Sequence, residues 1–266
     1  MISHETLRKV QLKELEILLE IKRICEKNNI NYFLCFGTLL GAIRHKGFIP
    51  WDDDVDIYMK REDYNRFLKI ASTQISDKYF IESHCFNSKF PRTFTKIKAN
   101  ETVFLEKYFQ HANLHPGIWV DIFPLDSLNK LEPRALKRKI NKMHILQSIA
   151  DYSVNILHPR KIHSKIFLKF FSSLYGKSAI SKKEKLMLSN DSNQINYLID
   201  FNNTQANYPI FKKHLFENSI FLEFEGHLFS APANYDEILT QIYGDYMKFP
   251  PKSEQICKHE IIEVVI

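Results

Sequence analysis

The sequence has four cysteines in 266 residues, Cys25, Cys35, Cys85 and Cys257, with no CxxC pair and no close Cys/His cluster. That spacing excludes a structural zinc site and a disulfide framework. It suits reduced, mostly buried thiols in a cytosolic protein. Long hydrophobic runs are also missing. The longest candidate, Ile166 to Tyr175, is broken by Lys169 and falls short of the ~18 apolar residues that a membrane span needs. The opening residues, Met-Ile-Ser-His-Glu-Thr-Leu-Arg, turn polar and acidic at once, which is not the pattern of a signal peptide. No internal repeat or low-complexity tract is visible. The expectation is a cytoplasmic protein.

Hydrophobic residues make up 44% of the chain and charged residues 26%. These values permit a sizeable core in one large domain, or in a catalytic core with a helical appendage. The net charge of +6 is unevenly placed. Between Arg134 and Leu186 there are 13 Lys or Arg against two acids, Asp151 and Glu184. That stretch is also rich in Ile, Leu and Phe. A basic, apolar, helix-compatible segment can lie peripherally against an anionic membrane at its cytoplasmic face. The plainer alternative is a helical hairpin whose basic face meets only water. It carries no known nucleic-acid-binding motif, so nucleic acid is not expected as a partner.

Periodicity predicts a mixed α/β front, a helical middle and a short α/β end. Leu7–Lys27 has helical spacing, with Glu and Lys filling the face opposite the leucines. Tyr32–Phe36 reads as a buried strand that Gly37 breaks, with Thr38 capping a short helix through Ile43. Asp52–Met59 reads as a strand and Arg61–Ala71 as a helix. Tyr79–Ser83, Phe94–Ala99, Thr102–Leu105 and Ile118–Phe123 read as strands, the last stopped by Pro124. Leu131 to about Leu198 reads as helical, divided by Pro159 and Gly176. Ile220–Phe229 reads as a strand and Asn234–Tyr243 as a helix. The expected organisation is a catalytic core over 1–130, a basic helical insertion over 131–205, and a C-terminal α/β segment over 206–266 that completes the core.

The chemistry concentrates in the run from Cys35 to Ile57, CFGTLLGAIRHKGFIPWDDDVDI. A strand leading into Gly37-Thr38 at a helix start offers free N–H groups and a positive dipole end, which suits a phosphate. In Asp54-Val55-Asp56-Ile57, strand alternation puts two carboxylates on one face and Val55 and Ile57 in the core. Two such carboxylates repel unless a hard divalent cation sits between them, Mg²⁺ or Mn²⁺ with phosphate oxygens in its remaining positions. The alternative is an acidic turn after Trp51. A two-metal site wants a third carboxylate from another strand. Asp121, in the apolar run Trp119-Val-Asp-Ile-Phe123, is the candidate, and a backbone-bonded Asp at a strand end is the alternative. Of Arg44, His45, Lys46, Arg92, Lys96 and Lys98, which lie near these elements, Arg44 and Lys96 are favoured as phosphate ligands. His45 is a candidate general base on a basic loop.

The run Gly37-Thr-Leu-Leu-Gly-Ala-Ile-Arg-His-Lys-Gly-Phe-Ile-Pro-Trp-Asp-Asp-Asp-Val-Asp-Ile57 closely resembles the signature of the LicD family. That family takes its name from bacterial phosphocholine transferases, and it includes the fukutin-type ribitol-phosphate transferases. Gly117-Ile-Trp-Val-Asp-Ile-Phe-Pro-Leu-Asp126 resembles its second acidic strand, and Ala231-Pro through Tyr243-Gly-Asp-Tyr-Met-Lys-Phe-Pro-Pro251 its C-terminal segment. The resemblance implies an α+β fold, a nucleotidyltransferase-like mixed sheet flanked by helices, with Mg²⁺ and a CDP-linked small-alcohol donor. It implies Asp54, Asp56 and Asp121 as catalytic metal ligands and Gly37 and Thr38 at the donor phosphates. The acceptor would be a hydroxyl of a cell-surface glycan or glycolipid such as lipopolysaccharide, capsule or teichoic acid. The chain lacks the zinc-binding Cys/His cluster of fukutin-type members, which favours the bacterial branch. Three rival readings remain: a nucleotidyltransferase that releases pyrophosphate, a glycosyltransferase using Asp54-Val-Asp56, and a noncatalytic glycan- or nucleotide-binding module.

Overall fold

The computed structural model describes residues 2–129, 132–156, 162–189, 195–203 and 209–266. In chain order the elements begin with α1 (His4–Lys27), β1 (Phe33–Leu34), α2 (Phe36–His45), β2 (Asp56–Lys60) and α3 (Arg61–Gln74). Strands β3 (Tyr79–Glu82), β4 (Thr95–Ala99), β5 (Val103–Glu106) and β6 (Trp119–Leu128) follow, then α4 (Pro133–Ser153) and α5 (Ile162–Leu188). The chain closes with β7 (Tyr197–Ile199), β8 (Ile210–Lys212), β9 (Ser219–Phe224), β10 (His227–Pro232), α6 (Tyr235–Tyr243) and β11 (Ile261–Val265).

A mixed sheet in the order β1-β2-β6-β4-β3 forms the centre, extended by β7 on β6 and β8 on β7. Only β2 and β6 run parallel; the other pairings in this sheet are antiparallel. The fold is therefore the expected mixed sheet flanked by helices. α1 and α3 pack on this sheet, and their apolar faces join Ile57, Ile97, Val120 and Ile122 in one core. The hairpin β9–β10 and the pair β5–β11 stand outside this sheet.

Several local readings change. β1 has only two residues, and Phe36 begins α2 instead of ending a strand; Cys35 takes the N-cap position and makes no side-chain capping bond. Gly37 and Thr38 are thus helical residues, neither a break nor a cap. β2 starts at Asp56, so Asp54 lies in the loop before it. Pro124 does not stop β6. Asp121 N donates to Val55 O, toward β2, and backbone groups alternate between the two edges of a strand. The nitrogen of Pro124 therefore points to the opposite edge. There β4 has ended opposite Ile122 and β7 begins only opposite Asp126, so the missing donor costs no ladder bond.

Ile220–Phe229 is not one strand but parts of β9 and β10, which turn at Glu225-Gly226, where both residues have positive φ. The helical middle ends at Leu188, and Tyr197–Ile199 joins the sheet. Gly176 does not divide α5. It lies within the helix, and a Cβ there would stand 2.5 Å from Ser153 Cβ on α4, so it permits close helix–helix approach. Pro159 lies outside the described residues.

The two acids of the basic segment point inward. Glu184 meets His84 at 2.9 Å and Arg61 at 3.6 Å, and Asp151 pairs with Arg92. Its lysines Lys169, Lys177, Lys182 and Lys185 are exposed. All four cysteines are free. Cys25 and Cys35 are buried, Cys257 is half-buried and Cys85 is exposed, so fewer are enclosed than expected.

Candidate active site

α2 and the loop after it bring the first acids into place. Lys46 closes α2 in the left-handed region, its N–H donating to Gly41 O. The loop then folds back, with Asp52 N donating to Ile49 O at 2.9 Å. A Cβ on Gly37 would lie 2.2 Å from Asp52 Oδ2, so the glycine lets this carboxylate sit against the first turn of α2. One residue on, the buried Thr38 accepts the backbone N–H of Asp56 through Oγ1 at 2.9 Å, tying the start of α2 to the start of β2.

The second group of acids is set by strand register. Asp56 on β2 is the partner of Asp121 on β6, and Asp121 is the partner of Lys96 on β4. The three residues form one row across three adjacent strands, so their side chains share a face. Lys96 Nζ reaches Asp121 Oδ2 at 2.9 Å and lies 4.1 Å from the Trp119 ring centroid. Asp121 Oδ1 is buried without a hydrogen-bond partner among the described residues.

The carboxylates act on one another across the site. Burial, then Asp54 and Asp53, push Asp52 up to about 8. Burial raises Asp54 to about 6, His259 opposing it and Asp53 and Asp121 adding to it. Asp56 stands well above the usual carboxylate range through burial, then Asp54, Asp121 and Asp52. Burial raises Asp121 against the pull of Lys96. Mutual elevation of neighbouring acids marks a site whose charge the protein itself leaves unbalanced.

Among the described residues, one trio offers ligand oxygens all within 4.8 Å of one another: Asp52, Asp53 and Asp54. Asp53, however, is already engaged. Its Oδ2 accepts Cys257 Sγ at 2.6 Å and His259 N at 3.3 Å, and His259 Nδ1 lies 3.1 Å away. Burial works against a charged His259, but Asp53, then Asp54 and Glu106, outweigh it and carry it up to about 9. Asp53 thus fastens the C-terminal segment over the site, while Asp52, Asp54, Asp56 and Asp121 supply the cluster's other carboxylate oxygens. Hard carboxylate oxygens with no thiolate among them match a hard divalent cation such as Mg²⁺ or Mn²⁺.

Beside these acids opens a cavity of about 650 Å³, a size that holds a small-molecule ligand. Gly37, Arg44, Trp51, Asp52, Tyr243, Phe249 and Lys258 are among its lining residues. Arg44 donates to Tyr246 O at 3.0 Å and stacks 4.5 Å from the Phe249 ring. Gly37 and Arg44 therefore line the cavity, whereas Lys96 is paired with Asp121 and the hydroxyl of Thr38 holds Asp56. His45 is not on an open loop. It ends α2, half-buried between Trp51 and Phe249, and burial lowers its pKa. Lys98 is buried against Glu82.

Sequence reasoning did not single out Asp52, although it stands in the same acidic run. It also missed His259, Cys257 and Glu14. Glu14 lies on the buried face of α1, not on the polar face assigned to its glutamates, and is 0% exposed. For Asp52, its place at the head of the run Asp52-Asp-Asp-Val-Asp56 was the available signal. For the other three no local pattern points to the site.

Residues 29–145 match the family described as LicD/FKTN/FKRP, nucleotidyltransferase domain. Lipopolysaccharide cholinephosphotransferase LicD of Haemophilus influenzae is 32% identical over 268 residues, 96% of this chain and 96% of its own length. Ribitol 5-phosphate transferase FKRP of Homo sapiens is 27% identical over 100 residues, 36% of this chain and 18% of its own. An uncharacterised protein of Rickettsia typhi is 46% identical over 55 residues, 21% of this chain and 18% of its own. With a relative 32% identical over 96% of its length, and with Asp54, Asp56 and Asp121 inside the matched residues 29–145, this chain belongs to the LicD family.

Proposed function

We propose that the protein transfers a phospho-alcohol, phosphocholine foremost, from a CDP-linked donor to a hydroxyl of a cell-surface glycan. The observation that carries this reading is the juxtaposition of Asp52, Asp54, Asp56 and Asp121 with a 650 Å³ cavity lined by cations and aromatic rings. The end-to-end relative being a lipopolysaccharide cholinephosphotransferase supports the substrate class.

Asp54, Asp56 and Asp121, with Asp52, would hold Mg²⁺ or Mn²⁺. When bound, such an ion supplies positive charge to the donor phosphates and lowers the cost of deprotonating the acceptor hydroxyl. The chain's own groups do the remaining work. Arg44, Lys248 and Lys258 on the cavity wall neutralise phosphate charge. Trp51, Tyr243 and Phe249 offer ring faces for the cytosine or the alcohol. The acceptor oxygen forms the new bond to the outer phosphorus as the anhydride P–O bond breaks. CMP leaves with that electron pair, and the hydroxyl proton passes to a carboxylate of the cluster. The cavity mainly positions and neutralises the reactants.

Peripheral attachment at the cytoplasmic membrane face belongs to the same proposal. Among the described residues no helix is long and apolar enough to cross a membrane. α5 nevertheless exposes Ile166, Phe167, Phe170 and Leu174, which the 3.6-residue repeat gathers within about 100° of the helix circumference. Lys177 follows on that side one turn later, and Lys169 flanks it. With Asp151 and Glu184 turned inward, an apolar stripe with uncompensated lysines faces out, a surface suited to anionic lipid.

The test is a donor screen that follows CMP and pyrophosphate release with CDP-choline, other CDP-alcohols and CTP. CMP release with a CDP-alcohol and an added glycan acceptor is expected, and it should vanish in Asp54→Asn and Asp56→Asn. Pyrophosphate release from CTP, or full transfer by both folded variants, would overturn the reading.

A further inference from the structure

Among the described residues Glu14 has no hydrogen-bond partner. It sits on the core-facing side of α1 among Val10, Ile17, Leu18 and Ile21, all fully buried. It is itself 0% exposed, and neither Oε1 nor Oε2 meets a hydrogen-bond donor. The charged groups that act on it most strongly are all carboxylates, led by Asp54 and followed by Asp53, Asp52 and Asp56. A buried acid normally finds an arginine, a lysine or a row of backbone N–H groups. Here the surroundings offer four more acids.

The position is held firmly. One turn earlier on the same face, Gln11 Nε2 donates to Asp52 O at 2.9 Å and to Ile49 O at 3.4 Å. Arg8 NH1 donates to Gln11 Oε1 at 3.2 Å and to Glu225 Oε1 at 3.1 Å, and Glu225 accepts Phe48 N at 3.0 Å. These bonds clamp α1 onto the loop that carries Asp52 to Asp54, so Glu14 is presented to the back of the acidic cluster by a rigid helix. For folding alone a leucine or glutamine would serve better at this place. A positive charge supplied from outside the chain removes the conflict for Glu14 and for the aspartates together.

We infer that Glu14 is a further acidic member of the cation centre, contributed by α1, which lies outside the matched family region of residues 29–145. The inference rests on the cation-dependent reading above. Its negative charge adds to that of Asp52 and Asp54 behind the ion and sets how tightly a divalent cation is held.

Mn²⁺ binding to the full-length chain, followed by electron paramagnetic resonance of the free ion, tests this without any assay of transfer. Melting temperatures in EDTA and in Mn²⁺ accompany it. Glu14→Gln should weaken Mn²⁺ binding by about 10–100-fold, the cost typical of removing a supporting group from a metal site, while melting higher than wild type in EDTA. Glu14→Leu serves as a second neutral variant should the glutamine protein fail to fold, and Glu14→Asp should restore most of the affinity. If both neutral variants bind Mn²⁺ within about twofold of wild type, against the 10–100-fold expected, while Asp54→Asn does not bind, Glu14 is an ordinary buried acid and this inference fails alone. If wild type binds no Mn²⁺, the cation reading beneath it fails as well.

Discussion

Gly37 and Asp52 are in contact: any side chain at position 37 would begin 2.2 Å from Asp52 Oδ2. Position 37 is helical without a positive φ, so the requirement for glycine is one of space, not of backbone torsion. Gly37→Ala should therefore leave the fold intact and displace the Asp52 carboxylate. A shift of about 1 Å at a reacting site costs on the order of 10²-fold in rate. Steady-state transfer kinetics beside a far-ultraviolet circular dichroism spectrum would check this. Unchanged activity would show that Asp52 takes no part.

Asp56 and Asp121 share a row, yet their substitution should affect stability in opposite directions. Asp121 is paired with Lys96, and breaking a buried pair strands the remaining charge at about 3–5 kcal/mol. Asp56 faces chiefly other acids, so neutralising it relieves repulsion. In EDTA, Asp121→Asn should melt lower than wild type and Asp56→Asn at or above it, while both lose transfer activity. Calorimetry of the two variants, run side by side, would decide it.

The acidic cluster sets a pH dependence whose sign follows from the raised values. Asp54 at about 6 and Asp52 at about 8 lie above the ~3.9 of an aspartate in an unfolded chain. Between those limits the folded protein binds more protons than the unfolded one, so these groups make the cation-free protein lose stability as pH rises through 6 and then 8. Lys183, lowered to about 7 by burial, acts in the opposite sense above pH 7. Comparing melting temperatures with and without Mg²⁺ cancels the lysine. The Mg²⁺-induced rise should be large at pH 8.5 and shrink toward pH 6, where protons compete for the same oxygens. A rise independent of pH would place the cation elsewhere.

The outward face of α5 should bind anionic bilayers. Flotation with vesicles of phosphatidylglycerol and phosphatidylcholine should capture the protein, and vesicles of phosphatidylcholine alone should not. Replacing Phe170 and Leu174 with Asp removes two exposed anchors, each worth about 1.5–3 kcal/mol when fully buried, and should reduce capture at least ~10-fold. Transfer to a water-soluble acceptor should persist in that variant. Equal capture of both proteins would rule out this face.

Much of the site was legible because its chemistry is local. The run from Gly37 to Asp56 is a helix start, a turn and a strand start, and residues so close in sequence are held near one another by chain connectivity. Asp121 could be found because an acid in an apolar strand requires a partner. Secondary structure failed where a neighbouring strand made the decision. Pro124 reads as a stop, since a proline removes a ladder bond wherever a partner is waiting, and the empty edge opposite it cannot be read from the chain. Gly176 reads as a break, since nothing in sequence shows that Ser153 of α4 needs the space.

The amino-acid sequence by itself determined the acidic run from Asp52 to Asp56, the glycine before it and the basic helical segment, because neighbours in a chain are held together by its connectivity. The tertiary structure alone decided the register that sets Asp56 beside Asp121 and Lys96, and which other groups surround them. Glu14, 40 residues from Asp54, is carried in by the packing of α1, and Cys257 and His259 reach Asp53 across more than 200 residues. Such contacts depend on how whole elements dock, a balance of buried area over the entire core, and no pattern within a short stretch of sequence records that balance.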